Sequence, residues 1–141
     1  MKIDPTPAEL TGFALDEAVR RAFGGEYLGW TDPFMEFPKE TWPLGESECL
    51  VHAEAWAPST DMEYGEPQGE DGYGFRLIRA LNVDVQPSAT GNGLGAFIAG
   101  LNHEGQWFHA YGSTVLEAGM RAIVLSREGS KLGNEVPDTP Q

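Results

Sequence analysis

Three histidines, a single cysteine and one Ser-Thr-Asp triplet are the residues of this 141-residue sequence whose types first invite chemistry. His52, His103 and His109 show no HExxH or comparable spacing, so they do not predict a metal centre. Cys49 stands alone, which excludes an internal disulfide and a cysteine zinc site. No Lys or Arg flanks it to mark it as a nucleophile. Ser59-Thr60-Asp61 follows Pro58 and reads as a helix N-cap or a tight Asx/ST turn. Its functional alternative is a polar rim that hydrogen-bonds a ligand or holds an anion on exposed N–H groups. Thr90-Gly91-Asn92-Gly93-Leu94-Gly95 lacks the Gly-Lys-Ser/Thr ending of a Walker A loop, and the pattern after it is a strand's. A glycine-rich hairpin turn is therefore expected there rather than a phosphate loop. Glu63, Glu66, Glu70 and Asp71 are dense enough to hold calcium loosely, but the order from Asp61 to Asp71 is not that of an EF-hand. No metal site and no cofactor are expected. Acids are plentiful, yet nothing singles out a catalytic pair. The enzyme reading that remains is a small hydrolase built on His109 with nearby acids.

The acids matter more as a field than as individual groups. The net charge is −13, and residues 26–71 hold twelve acids against one base, Lys39, for a local net of −11. Such a field repels phosphates, because binding them needs Lys and Arg to displace counterions. Direct nucleic-acid binding is not expected, whereas basic partners are attracted. The bland alternative is that the charge only keeps the protein soluble. With 40% hydrophobic and 11% aromatic residues the chain can bury a core, which argues against global disorder. No apolar run approaches the roughly 20 residues of a membrane helix, and Met1-Lys2-Ile3-Asp4-Pro5 does not open a secretory signal. A cytoplasmic location is the simplest expectation.

These residues need elements to position them. Leu15, Ala18, Val19, Ala22 and Phe23 make one apolar stripe, which predicts a helix over residues 11–23. Thr11 is its expected N-cap and Gly24-Gly25 its stop. Asp16 and Glu17 toward its start, with Arg20 and Arg21 toward its end, suit the helix dipole. Residues 26–71 carry five prolines and forbid a long helix, yet contain Trp30, Trp42 and Trp56. They read as an ordered excursion wrapped on the core, with a short strand at residues 49–55. The other reading is an exposed acidic-aromatic surface made for a partner.

Residues 73–81 fit a short helix with Phe75, Ile78 and Leu81 inward and Arg76 and Arg79 outward, with a strand as the alternative. Val83-Asp84-Val85 starts a strand that Pro87 confines to an edge or breaks. The apolar run over 94–101, a turn at 102–105 and a strand over 106–111 make a β-hairpin. Trp107, His109 and Tyr111 share one of its faces. Thr114 and Glu117 have capping-box spacing, and Leu116, Met120, Ile123 and Val124 form the stripe of a helix that Gly129 ends. The expected architecture is a single α+β domain over residues 1–129. Its helices pack on one small antiparallel sheet of about three or four strands, in two to three layers. A mobile polar tail is expected over 130–141.

A resemblance accompanies this reading. The Leu15-Asp16-Glu17-Ala18-Val19 helix, Ala57-Pro58-Ser59-Thr60-Asp61, the block from Gly112 to Ala122 and Leu132-Gly133-Asn134-Glu135-Val136-Pro137 occur in that order. Together they resemble the NinX-like phage proteins of unknown function and, more broadly, phage α/β/α sandwich domains. The segment between the first helix and Ser59-Thr60-Asp61 departs from that pattern by being long and acidic. The resemblance implies a phage or prophage origin and a sandwich, and it implies no reaction.

Two binding roles follow. In the first, the acidic-aromatic segment engages or inhibits a host or defence protein through that protein's basic surface. In the second, the domain sequesters a small polar or nucleotide ligand, with Arg76, Arg79 and Arg121 supplying positive charge. The candidate binding residues are Ser59, Thr60, Asp61, Glu63, Glu66, Trp56, Trp107, His109 and those three arginines. The hairpin edge leaves room for a homo-oligomer.

Overall fold

The first helix forms where its apolar spacing places it. In the computed structural model, which describes residues 9–88 and 95–135, α1 spans Gly12–Ala22 and buries Leu15, Ala18 and Val19, with Phe23 just beyond. Thr11 takes the extended N-cap backbone, but its side chain makes no capping bond. The helix end is instead held by the Thr41 hydroxyl, which donates to the Phe23 carbonyl at 2.6 Å. Asp16 and Glu17 lie beyond the first turn, and Asp16 is buried rather than serving the dipole from the surface.

The excursion is ordered, and the short strand expected within residues 49–55 is present at Leu50–His52, but as one of several. β1 (Glu26–Tyr27), β2 (Phe34–Glu36) and β3 (Leu50–His52) form a small antiparallel sheet in that order. β4 (Met62–Glu63) and β5 (Glu66–Pro67) make a separate two-stranded hairpin. Aromatic packing fixes this irregular chain. Phe37 stacks on Trp42 with ring centroids 3.9 Å apart, and Phe23 meets Trp42 edge-on at 5.9 Å. Trp56 and Tyr73 close the cluster at 5.7 Å. The buried indoles are satisfied, since Trp42 donates to the Glu48 carbonyl and Trp56 to the Asp16 carbonyl.

α2 spans Tyr73–Leu81, so the helical reading of this stretch holds. Its buried face is shifted from the expected one. Gly74 and Leu77 lie inward, Ile78 and Leu81 pack partly against the core, and Phe75 is only half-buried. The cause is Gly74, where any Cβ would collide with the Pro58 carbonyl and with Leu116. The missing side chain lets the helix approach the 57–60 turn closely.

β6 (Asp84–Pro87), β7 (Phe97–His103) and β8 (Gln106–Gly112) form the principal antiparallel sheet, with β6 an edge strand that ends at Pro87. Glu104 and Gly105, both at positive φ, make the two-residue turn of the β7–β8 hairpin. α3 (Val115–Glu135) packs across β7 and β8, and α1 and α2 both lie against it. The capping box is present with one offset. Thr114 accepts the Glu117 N–H at 3.0 Å, while the Glu117 carboxylate takes the Ser113 N–H at 2.7 Å. The helical backbone runs through Gly129 to Glu135 instead of stopping, because one glycine costs a helix only about 1 kcal/mol. Residues 1–8, the 90–94 part of the glycine-rich loop and the tail beyond Glu135 lie outside the described residues.

The fold is thus α+β with helices on small antiparallel sheets. It corrects the expectation of one sheet of three or four strands, since the strands among the described residues fall into three separate groups. Among the described residues no helix is long and apolar enough to cross a membrane.

Candidate functional site

The small β1–β2–β3 sheet turns the acidic composition into a local geometry. Its register sets Glu26 directly opposite Glu36, and Glu36 opposite Leu50. Like charges opposed across strands are destabilising, so this pair works against the fold. Beside it lies a concavity of about 700 Å³ lined by Glu26, Glu36, Glu40, Glu46 and Lys39. Phe37 and Cys49 also line it, as do the exposed Tyr27 and Leu28. Lys39 already meets Glu46 at 3.1 Å, which leaves a strongly negative groove. Its carboxylates are exposed, so their field acts through solvent and weakens over a Debye length of about 8 Å at physiological salt. Among the described residues no group of three or more His, Cys, Asp or Glu is placed to hold a metal ion.

The residues singled out in the sequence are scattered. Ser59-Thr60-Asp61 is a tight turn. The Thr60 N–H donates to the Ala57 carbonyl at 2.9 Å, and the Thr60 hydroxyl accepts the Met62 N–H at 3.2 Å. With Phe75 and residues 114–116 the triplet lines a second groove of about 330 Å³ near the start of α3. The Ser113 and Glu117 N–H groups there are already taken by the helix's own cap. Glu63 accepts the Tyr73 N–H at 3.0 Å and so caps α2, whereas Glu66 is exposed on β5. Trp56 is a core residue.

The arginines are mostly committed to the fold. Arg121 is buried and donates to the Leu10 and Tyr111 carbonyls at 2.9 and 2.8 Å, with Glu117 at 3.6 Å. Arg76 pairs with Glu48 at 2.9 Å and lies over the Tyr73 ring. Arg79 is exposed on α2. Trp107 and His109 stand side by side on the principal sheet's outer face, with rings inclined by 18°. There they border a shallow hollow with Asp84 and Gln86, far in sequence from the acidic groove.

His103 packs against Arg127, and burial followed by that positive charge holds its pKa below the usual histidine value. His52 uses Nδ1 to accept the Glu54 N–H, which fixes the proton of its neutral ring on Nε2.

Asp16 is the residue that sequence reasoning misjudged. Its carboxylate accepts the Ser59 N–H at 2.7 Å, tying α1 to the 57–60 turn. Burial pushes its pKa up to about 6, against the opposing pull of hydrogen bonds from Ser59. No local signal marks it, because an Asp early in a helix is also the ordinary dipole partner. The four groove glutamates show in the sequence only as charge, since grouping them needs the β1–β2 pairing. Set against known proteins, the chain matches no family model and no curated protein.

Proposed function

We propose that this is a phage or prophage accessory protein of the host cytoplasm that acts by binding, engaging a basic surface of a host or defence protein through the groove at Glu26, Glu36, Glu40 and Glu46. The phage setting rests on the resemblance carried by residues 57–61 and the start of α3. The binding mode rests on one observation, a concavity with four glutamates and a single, already paired lysine. Opposed glutamates that oppose folding are retained at small cost when a partner supplies the missing cations. Arg76 and Arg121 are occupied by protein acceptors, which weighs against sequestration of an anionic ligand.

The test is capture from host lysate at low and high salt, comparing the wild-type chain with a variant carrying Glu26→Gln, Glu36→Gln, Glu40→Gln and Glu46→Gln. A captured host protein should bind at low salt, weaken steeply as salt rises, and be lost by at least about tenfold in the variant. Capture that survives all four substitutions removes the groove from the function. Glu48 and Glu63 are left intact, because they support Arg76 and the start of α2.

A further inference from the structure

The small sheet has one face in the core and an opposite face that is partly exposed. Met35 and Val51 point inward and are fully buried. The alternate residues of the same strands, Glu36, Phe34 and Leu50, share the opposite face. Leu50 is 53% exposed and Phe34 is half-buried there. His52, cross-strand from Phe34, carries this surface on to the exposed Tyr64 through ring contacts at 5.0 and 5.3 Å. Trp30 lies on the β1–β2 connection and is fully exposed at 103%. The two ends of its loop are held by hydrogen bonds. The Phe34 N–H donates to the Asp32 side chain at 3.0 Å, and the Leu28 N–H donates to the Phe34 carbonyl at 3.1 Å. A large exposed indole on a loop held at both ends resembles the aromatic anchors that dominate protein interfaces.

Resting on the reading of the groove as a basic-partner site, we infer that the partner's docking segment is amphipathic: Lys or Arg side chains enter the glutamate groove, and bulky apolar side chains cover Leu50, Phe34, Tyr64 and Trp30. Charge complementarity selects this occupant. The apolar strip adjoins the Glu26–Glu36 pair through the Glu36–Leu50 register, so one short segment can reach both surfaces. A purely apolar partner would leave the glutamates desolvated and unpaired, and a second copy of this acidic chain would be repelled.

The experiment uses two synthetic 18-residue peptides of equal charge, an amphipathic Lys/Leu helix and a Lys/Ser analogue, titrated into the whole protein by calorimetry at low salt. The wild type should bind Lys/Leu at least about tenfold more tightly than Lys/Ser. A Trp30→Ser, Leu50→Ser variant should erase that preference while keeping the salt-dependent Lys/Ser affinity, and its fold should survive because both side chains are exposed. Equal binding of the two peptides by the wild type overturns the amphipathic inference and leaves the acidic reading standing. Failure of both peptides to bind overturns both. Lys/Leu binding that is unchanged when Glu26 and Glu36 become Gln also overturns the inference, since adhesion would then be apolar alone.

Discussion

Residues 83–88 with 95–128, and residues 26–72, solve the same packing problem in opposite ways. The first stretch uses seven-residue strands, a tight turn and a capped helix, so most of its backbone groups are paired by regular structure. The second has strands of only two or three residues and depends on buried rings and single side-chain bonds. The second also carries most of the negative charge and the acidic groove. Regular pairing spares the first stretch from dependence on any one side chain, whereas the second hangs on a few. Both stretches contribute to one core, but the irregular one reaches it through a few pinned residues and leaves charge and an indole exposed between them.

The sharpest way to break this contrast is Trp42→Ala. Losing a buried indole that touches Phe23, Phe37, Trp56 and Tyr73 should cost about 3–5 kcal/mol in urea denaturation. Hydrogen exchange should show β1–β3 losing protection before β7, β8 and α3. Uniform loss of protection would mean that the two regions form one cooperative unit.

A smaller effect tests the pin between α1 and the 57–60 turn. The folded pKa of Asp16 is about 6, above the unfolded value of about 3.9. Between those values the folded state holds a proton that the unfolded state releases. Asp16 therefore favours folding most below about pH 4, and that contribution is lost as pH rises through about 6. Asp16→Asn should stabilise the protein by about 1–3 kcal/mol at pH 8 and by almost nothing at pH 4. A difference that does not change with pH would show that the carboxyl is not the titrating pin.

The smallest expected effect is at Trp30. Because its ring is fully exposed, Trp30→Ala should change stability by less than about 0.5 kcal/mol. A larger loss in thermal unfolding would place this indole in the framework with Trp42, erasing the division between holding and presenting.

The two regions were unequally legible in the sequence. α1, α3 and the β7–β8 hairpin follow from long periodic patterns, a capping pair and a turn, signals that survive without tertiary information. Of the β1–β2–β3 sheet only the Leu50–His52 strand lies within an expected one, at residues 49–55; strands as short as β1 and β2 carry no readable alternation, so they and the Glu26–Glu36 register cannot be read from the sequence. Trp30 and Trp42 share acidic, proline-containing surroundings, and only the path of the chain separates the exposed ring from the buried one. Arg121 looks like any surface cation of a helix until the Leu10 and Tyr111 carbonyls converge on it. Gly74 moved the inward face of α2 by one residue, which a hydrophobic pattern cannot anticipate because glycine scores as neither core nor surface.

The bond between Arg121 and the Leu10 carbonyl spans 111 positions, and α1 lies against the same late helix. During synthesis α1 therefore waits for its partner while about ninety residues are added. At ribosomal speed that delay is about 5–20 s. Through this interval the growing chain carries the apolar stripe of α1 and several bare rings. The acids between them give the unfinished polypeptide a self-repelling character, which opposes aggregation of the nascent chain.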